Sequence, residues 1–292
     1  MTSEDDRLSQ LVTACAHAGI DPTGAALLRY HVNAVYHLPH AGAVARLSPV
    51  KRLDQARRGV EVTRWLINEG LPATAPLDVQ QPIATNDCVV TFWRYYDQTG
   101  RSLPPPPKLA VLLRQLHRSL PPPAPLPTYQ PLTSFLDELH TNGPQVLSPI
   151  EYDFLHREAE QLLHAYDGPT SALGCGLIHG DARLGNLLWD QDAVVLGDWD
   201  SVSLGPRELD LVITYQGTRY GRSAADLDAF TRAYGWDVRQ WEGYTTLRAI
   251  RDLQTLGAPL RLGADRPEVA DELHHRIRGL MSRDDTQRWH GF

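Results

Sequence analysis

The sequence has little of what several classes of protein require. Its 292 residues contain three cysteines, Cys15, Cys88 and Cys175, too few and too scattered for a disulfide framework or a cysteine-based zinc site. No apolar run approaches the roughly 20 residues that cross a bilayer. The first residues are polar and acidic, unlike a secretory signal. These absences predict a protein without a membrane segment that works in a reducing cytoplasm.

Basic side chains are also scarce, and nearly all are of one kind. The chain has 28 lysines and arginines against 35 acidic residues, a formal net charge of -7. Proteins that bind nucleic acids usually carry a basic excess, so the composition argues against that class. Lysine occurs only at Lys51 and Lys108, so most anion contacts that need a basic side chain must come from arginine.

Prolines divide the chain, and no internal repeat is evident. Two proline-rich stretches, residues 104–107 and 121–127, flank a short segment with helical leucine spacing. We predict an α+β, bilobal fold with the boundary just before the first stretch. Residues 1–97 form a small lobe with an antiparallel sheet and a helix, and residues 98–292 form a larger, mainly helical lobe with a β-hairpin.

The periodicity of apolar residues places elements within these lobes. The small lobe is predicted to contain strands at residues 31–38, 42–47 and 88–96 and one helix at residues 54–69. A turn at residues 39–41 is expected to join the first two strands. Gly70 is expected to end the helix. The large lobe is predicted to contain helices at residues 132–140, 150–166, 224–234, 244–256 and 267–281.

Residues 175–200 carry the most informative pattern. An apolar run leads into the sequence HGDARLGN at residues 179–186, and two short apolar strands then flank a turn. If Trp189 lies opposite Val194 in this hairpin, Asn186 is next to Asp198 at its end. An amide oxygen and a carboxylate at one point are hard ligands, which suit Mg²⁺.

This spacing predicts a division of chemical labour. Asp181 precedes the hairpin and can accept a proton from an attacking hydroxyl group, while Asn186 and Asp198 hold the magnesium that bridges nucleotide phosphates. Phosphoryl transfer depends on positioning and charge neutralisation, which such residues supply. The pattern H-x-D-x-x-x-x-N, followed by a strand and an aspartate, is the catalytic-loop pattern of kinases.

Together with GDWD at residues 197–200 and GPRELDL at residues 205–211, these motifs resemble the signatures of the aminoglycoside phosphotransferase and choline kinase superfamily. Its members are small-molecule kinases with a protein-kinase-like fold. The resemblance implies Asp181 as catalytic base, Asn186 and Asp198 as magnesium ligands, and ATP as phosphate donor, with GTP as an alternative.

The resemblance also implies supporting roles. Asp210 is expected to support the catalytic loop, and His179 to support it from within. For Asp200 two interpretations remain open: a ligand of the acceptor or of a second metal, or a solvated acid.

The small lobe matches the family more loosely. Asn33 falls in the nucleotide-covering loop, which is not rich in glycine here. Arg46 stands where the family has the phosphate-contacting lysine, and its guanidinium can bind phosphate bidentately. Glu61, on the following helix, is the expected ion-pair partner of Arg46. Adenine is expected to meet backbone groups of the next strand, between Thr91 and Arg94. Phe92 and Trp93 are expected to supply apolar surface there.

We therefore predict an ATP- and Mg²⁺-dependent transfer of the γ-phosphate to a hydroxyl group of a small molecule. An aminoglycoside-like antibiotic, an amino sugar or a related metabolite would serve. The acids Asp226, Asp228, Asp237 and Glu242 would suit a cationic acceptor, or they form a solvated acidic surface. No nucleic acid or membrane partner is expected, and the chain is expected to act as a monomer or homodimer. Two alternatives stay open: a pseudokinase that binds a nucleotide or metabolite without transfer, and a magnesium-dependent phosphohydrolase.

Overall fold

Helices and short antiparallel strands make up most of the computed structural model, which describes residues 3–30, 33–119, 121–122, 124–167 and 170–291. The helices are α1 (Glu4–Ala18), α2 (Leu53–Asn68), α3 (Pro106–Leu116), α4 (Thr133–Val146), α5 (Pro149–Tyr166), α6 (Glu208–Gln216), α7 (Ala224–Tyr234), α8 (Tyr244–Gln254), α9 (Gly257–Leu262) and α10 (Pro267–Met281). The strands are β1 (Ala26–Tyr30), β2 (Ala34–Leu38), β3 (Ala43–Pro49), β4 (Ile83–Ala84), β5 (Cys88–Arg94), β6 (Cys175–Ile178), β7 (Leu187–Asp190), β8 (Ala193–Leu196) and β9 (Ser203–Pro206). Among the described residues, no helix is both long enough and apolar enough to span a membrane.

These elements form two compact units. Unit 1 comprises the described residues of 1–104, 120–126 and 184–202, and unit 2 those of 105–119, 127–183 and 203–292. The β7–β8 hairpin thus belongs to unit 1, although most of the chain around it in sequence belongs to unit 2. The lobe boundary at residues 97 and 98 stays a prediction.

The centre of unit 1 is an antiparallel sheet with the strand order β1-β2-β3-β5-β4. A 3-10 turn at Pro39–Ala41 joins β2 to β3, and Gly42 follows it with φ 56°, a left-handed conformation without steric penalty for glycine. The predicted turn is therefore confirmed. His31 and Val32, which the prediction placed in the first strand, lie outside the described residues.

The sheet of unit 1 has two chemically different faces because side chains alternate along each strand. One face is buried together with α1, in a core that includes Tyr36, Leu38, Ala45 and Phe92. The opposite face carries residues that are paired across β2, β3 and β5, namely Val35, Val44, Arg46, Thr91 and Trp93. This second face is the one that positions the candidate site.

Helix α2 connects β3 to the rest of unit 1. It ends at Asn68, and Gly70 just beyond it has φ 81°, so the predicted glycine stop is confirmed. Small residues on one side of the helix permit a close approach: a Cβ added to Gly59 would lie 3.9 Å from the carbonyl oxygen of Trp199. Helix α2 therefore packs directly against the chain that follows β8.

Unit 2 is mainly helical, with β6 and β9 as an antiparallel pair. Strand β6 ends at Ile178, opposite Ser203 of β9, and helix α6 begins two residues after β9. Every residue of α6 is buried. The pair therefore places the first turn of α6 next to the loop that follows β6.

The predicted fold class is confirmed, and six elements were missed, three helices and three strands. Helix α1 is rich in charge, although the capping box formed by Ser3 and Asp6 was a readable start signal. Helix α6 shows no amphipathic period because it is buried on all sides. Strands β1, β4 and β9 and the short helix α9 were also absent from the prediction.

Candidate active site

The β7–β8 hairpin has the predicted register. Trp189 lies opposite Val194, and the amide of Gly197 donates to the carbonyl oxygen of Asn186 at 2.8 Å. Asn186 and Asp198 thus flank the same end of the hairpin. A Cβ at Gly197 would lie 2.8 Å from the Thr74 methyl carbon, so only glycine fits between the hairpin and this neighbouring segment.

Asp198 adopts a left-handed backbone conformation, with φ 64° and ψ 56°. This conformation disfavours most side chains but is tolerated by aspartate. It turns the chain out of β8 and into the 3-10 turn Trp199–Ser201. Trp199 is buried, and its indole nitrogen donates to the carbonyl oxygen of Leu196 at 2.8 Å, which fixes the turn. Asp200 is thereby brought to the same side as Asp198.

Arg46 on β3 binds both of these carboxylates. Its Nη1 donates to Asp198 Oδ1 at 3.0 Å and to Asp200 Oδ1 at 3.0 Å, and its Nη2 donates to Asp200 Oδ2 at 2.5 Å. The Arg46 side chain is 15% exposed. With its amide oxygen turned towards the guanidinium, Asn33 accepts from Arg46 Nε at 3.0 Å and donates to Ser48 Oγ at 3.0 Å. We call Arg46, Asp198 and Asp200 the Arg46 cluster.

Burial and charge act against each other in the Arg46 cluster. Burial lowers the pKa of Arg46, but the carboxylates of Asp200 and Asp198 outweigh it, so the pKa is raised. Burial raises the pKa of Asp200, and the nearby Asp198 raises it further against the opposing effect of Arg46. Two carboxylates share one directly bonded guanidinium, with Arg52 acting on Asp200 from further away. The ion-paired groups therefore carry a net negative charge, which favours a cation.

The predicted pair between Arg46 and Glu61 is wrong. Glu61 is exposed on α2, and the helix instead presents Gln55 and Gly59 to the turn after β8. Gln55 Nε2 donates to the carbonyl oxygen of Asp200 at 3.0 Å. Glu61 lies two residues from Gly59, about 200° around the helix, so its side chain points away from Arg46.

A cavity of about 460 Å³ lies within unit 1 against the second face of the sheet. Its walls include Arg46, Asn186, Asp198 and Asp200. The structure thus brings together, in one cavity, residues that the sequence placed at widely separated positions. Its volume lies in the range of small-molecule and cofactor sites.

Strand β5 contributes to this cavity through two alternate residues and through its last residue. Thr91, Trp93 and Arg94 line it, and the Trp93 indole nitrogen donates to Thr91 Oγ1 at 2.9 Å. Phe92 does not: it is fully buried in the core on the opposite face, so the prediction that it supplies apolar surface to the site is wrong. A period of two along the strand makes this unavoidable.

The backbone of β5 is largely occupied. The Phe92 amide donates to Gln81 Oε1 at 2.7 Å, its carbonyl oxygen accepts from the Leu77 amide at 2.9 Å, and the Arg94 amide donates to the Ala75 carbonyl oxygen at 2.8 Å. These groups of Phe92 and Arg94 are therefore used within unit 1. The Arg94 side chain binds Asp190 bidentately, at 2.9 and 3.2 Å.

Sequence reasoning missed the segment that follows β5. Tyr95, Tyr96, Gln98 and Thr99 also line the cavity. Gln98 accepts from the Trp189 amide and donates to the Trp189 carbonyl oxygen, both at 3.0 Å, so it fastens this segment to β7. The paired hydrogen-bonding capacity of a glutamine after a buried strand was the only signal, and it is a weak one.

The donor set at the end of the hairpin fits magnesium. Asn186 offers an amide oxygen and Asp198 a carboxylate, and neither sulfur nor imidazole is present among these residues, so the set is of the hard oxygen type. Asn186 is 6% exposed and the Asp198 side chain 29% exposed. The net negative charge of the Arg46 cluster is consistent with the same ion.

In unit 2 the loop after β6 is fixed by Asp210. This carboxylate is fully buried at the start of α6 and accepts the amides of His179 and Gly180, each at 2.8 Å, and His117 Nε2 at 3.1 Å. Burial raises the pKa of Asp210, but the hydrogen bond from His117 and the other partners outweigh it, so the pKa is lowered. His179 is buried too, and its Nδ1 accepts the amide of Asp181 at 3.2 Å.

Asp181 itself is bracketed by two arginines. Arg251 Nη2 on α8 donates to Asp181 Oδ1 at 2.6 Å, and Arg183 Nε lies 3.2 Å from Asp181 Oδ2. The Asp181 side chain is 22% exposed. We call Asp181, Arg183 and Arg251 the Asp181 cluster. Arg251 was missed from the sequence, because nothing near it in α8 forms a motif.

Comparison with known proteins places the chain among phosphotransferases. The model of the phosphotransferase enzyme family matches residues 24–250. The search of curated proteins found no match.

Solved structures resemble the fold at low sequence identity. The amicoumacin kinase hAmiN, solved with AMP-PNP, Ca²⁺ and Ami, has 12% identity and a TM-score of 0.75, over 99% of this chain and 98% of that one. A choline/ethanolamine kinase family protein from Mesorhizobium loti has 20% identity and a TM-score of 0.63, over 97% and 96%. Spectinomycin phosphotransferase APH(9)-Ia, solved with ADP and spectinomycin, has 14% identity and a TM-score of 0.65, over 95% and 94%. The predicted protein-kinase-like fold is thereby confirmed.

Proposed function

The chain belongs to the phosphotransferase enzyme family, and on that premise we propose that it transfers the γ-phosphate of ATP to a hydroxyl group of a small molecule in the presence of Mg²⁺. The observation that carries this proposal is the presence of Arg46, Asn186 and Asp198 in the walls of one cavity of unit 1. A guanidinium for phosphate and two oxygen donors for the metal are the groups that a nucleotide triphosphate requires.

The nucleotide base is expected to lie on the apolar part of this cavity. That part is lined by Val35, Val44 and Trp93, and the chain at residues 95–99 passes along it. Because the amides of Phe92, Arg94 and Tyr95 are all engaged within unit 1, we propose that polar groups of residues 96–99 recognise the base instead. ATP is the proposed donor, with GTP as an alternative.

Asn186 and Asp198 would hold the magnesium. When bound, the ion would neutralise phosphate charge and fix the orientation of the terminal phosphates. The family neighbours support nucleotide binding, since the solved structures contain AMP-PNP or ADP.

Arg46 is proposed to change partners when the nucleotide binds. Its guanidinium is held by Asp198 and Asp200, and a phosphate oxygen can take the place of Asp198 on Nη1. Release of Asp198 from Arg46 would leave that carboxylate to the metal. Asp200 would keep Arg46 oriented, which makes it a positioning residue.

Asp181 is the proposed general base. It would accept the proton of the attacking hydroxyl group, and a base positioned in this way contributes about 10²- to 10⁴-fold to a rate. Asp210 and His179 would hold its loop in place through the hydrogen bonds to the amides of His179, Gly180 and Asp181.

An acceptor screen with the purified full chain tests this proposal. ATP, Mg²⁺ and a panel of hydroxylated small molecules are supplied, and ADP release and the phosphorylated product are measured together. Asp198→Ala should lose magnesium-dependent turnover, because it removes a proposed metal ligand. Asp192→Ala, in the exposed turn of the same hairpin, is the matched control and should retain it.

The outcomes separate the competing functions. Normal turnover of the Asp198→Ala variant would contradict the proposed role of that residue. ATP hydrolysis that no hydroxyl compound accelerates would indicate a phosphohydrolase. Binding of ATP and Mg²⁺ without any turnover would indicate a pseudokinase.

A further inference from the structure

The charge around Asp181 is positive, which is the opposite of the charge in the Arg46 cluster. Arg251 and Arg183 both contact the one carboxylate, at 2.6 and 3.2 Å. The Arg251 side chain is 15% exposed and that of Arg183 is 54% exposed. In the described part of the chain, Asp181 is the only carboxylate that pairs with either arginine. One negative charge against two positive charges leaves this position able to attract an anion.

Neighbouring polar groups on α6 and α8 do not reverse this charge. Arg251 Nε donates to the neutral Gln216 at 3.3 Å. Asp252, the next residue along α8, is buried, and its carboxylate lies 3.0 Å from Arg219 and 3.6 Å from Arg248. Asp252 is thus engaged by other arginines.

Three of the four acids that might have attracted a cationic acceptor are used locally, and the fourth, Glu242, is exposed. Asp228 and Asp237 pair with Arg239, at 3.2 and 2.8 Å. Asp226 bonds to Ser223 at the start of α7. These three carboxylates therefore have partners within their own segment, and they provide no concentrated negative field for a polycation.

We propose that the acceptor carries an anionic group, a carboxylate or a phosphate, close to the hydroxyl group that is phosphorylated, and that Arg251 binds this group. The inference rests on the proposed function. Arg251 is held on Asp181 by a charge-assisted hydrogen bond, and a guanidinium can exchange one carboxylate for another or for phosphate without losing its geometry. An anionic acceptor therefore supplies the partner that lets Arg251 leave Asp181.

This exchange links acceptor recognition to the chemistry. While Arg251 stays in place, both oxygens of the Asp181 carboxylate are engaged by arginines, Oδ1 by Arg251 and Oδ2 by Arg183, so the hydroxyl group must compete with a guanidinium for them. Once the acceptor anion takes Arg251, the Asp181 carboxylate can accept the hydroxyl proton. The acceptor oxygen forms its bond to the γ-phosphorus, the bond from that phosphorus to the bridging oxygen breaks, and ADP leaves with the electron pair. A cationic acceptor would meet two guanidinium groups and leave Arg251 on Asp181.

The proposal is tested with related sugars that differ in the charge of one substituent. Glucose, glucosamine, glucuronate and glucose 6-phosphate are titrated by calorimetry into the full chain with Mg²⁺ and a non-hydrolysable ATP analogue, and each is assayed for ADP release with ATP. We expect the carboxylate or the phosphate derivative to bind about 10- to 100-fold more tightly than the amine, since a hydrogen bond to a charged group has that worth. The two anionic arms distinguish a carboxylate acceptor from a phosphate acceptor.

Variants assign the preference to Arg251. Arg251→Gln should abolish the preference for the anion while the affinity for the ATP analogue stays unchanged, and Arg251→Lys should restore part of it. Arg278→Gln is the matched control, because it removes the same charge from an exposed position of α10 and should keep the preference.

Several results would overturn the inference. These are equal or tighter binding of the amine, an anion preference that survives Arg251→Gln, a loss of ATP-analogue affinity in that variant, or no binding by any member of the series. Phosphorylation of the amine alone would refute the inference and leave the proposed function standing. Absence of acceptor-dependent ADP release across the wider panel would refute the proposed function.

Discussion

The Arg46 cluster of unit 1 and the Asp181 cluster of unit 2 use the same pair of groups in opposite proportions. In the first, one arginine is shared by two aspartates; in the second, one aspartate is shared by two arginines. The excess of negative charge in the Arg46 cluster suits a cation, and the excess of positive charge in the Asp181 cluster suits an anion. A carboxylate beside an arginine therefore does not by itself show which ion a site prefers, because that preference depends on the sum of the charges in the cluster.

The two arginines also differ in how firmly they are held. Arg46 lies on β3, the central strand of the sheet, and makes three hydrogen bonds to carboxylates. Arg251 lies on a helix and makes one, at 2.6 Å. Arg46 therefore contributes more to folding, and Arg251 is more easily exchanged to a new partner.

The largest expected effect comes from removing the negative charge of Asp181, which both Arg251 and Arg183 contact. Asp181→Asn keeps the shape of the side chain but cannot accept a proton, so transfer should fall by about 10²- to 10⁴-fold. The product assay measures this, while calorimetry should show nucleotide binding retained. Asp271→Asn, at an exposed position of α10, is the control. Transfer within tenfold of the unsubstituted protein would contradict the role of Asp181.

The next largest effect is expected on protein stability, which should depend more on Arg46 than on Arg251. Arg46→Gln leaves two partly buried carboxylates facing each other, and we expect a loss of about 1–3 kcal/mol in the free energy of unfolding. Arg251→Gln should lose less than about 1 kcal/mol, because Asp181 keeps Arg183. Urea denaturation without ligands measures both. Equal losses would show that the two arginines are held alike.

The same Arg46→Gln variant sharpens the comparison through the metal. Because the guanidinium no longer competes for Asp198, Mg²⁺ alone should raise the melting temperature of the variant more than that of the unsubstituted protein. An equal shift in both proteins would show that Arg46 does not hinder the proposed metal site.

Acid should weaken the support behind Asp181. The pKa of Asp210 lies below its ordinary value of 3.8, so its ionised form stabilises the fold above pH 3.8. That contribution should be lost as the pH falls through the lower pKa of the folded state. The difference in unfolding free energy between the unsubstituted protein and Asp210→Asn should therefore shrink below pH 3.8. A difference that grows on acidification would contradict the direction of the shift.

The smallest effect is expected at Glu61. Because Glu61 is exposed and lies apart from Arg46, Glu61→Gln should change the unfolding free energy by no more than about 0.5 kcal/mol. Gln55→Ala, at the residue six positions before Glu61 on α2, should cost about 1 kcal/mol, since it removes the hydrogen bond to the Asp200 carbonyl oxygen. A larger effect at Glu61 than at Gln55 would support the predicted ion pair between Glu61 and Arg46.

Much of the fold and part of the candidate site could be predicted from the sequence. The register of the β7–β8 hairpin was predictable because it depends on a short turn and a period of two. Helices α7 and α10 had their predicted bounds, because their apolar stripes face one side only. Helix α6 was missed because burial on all sides removes that stripe. The face occupied by Phe92 could have been derived from Trp93 by alternation alone.

The sequence by itself determined the catalytic-loop spacing, the hairpin that follows it and the family, since these depend on residues close together along the chain. Only the tertiary structure decided which arginine meets which carboxylate. Arg46 and Asp198 are 152 positions apart, and Arg251 and Asp181 are 70 positions apart. No local pattern records such a pairing, because it depends on how helices and strands pack, and it is the packing that sets the charge of each cluster.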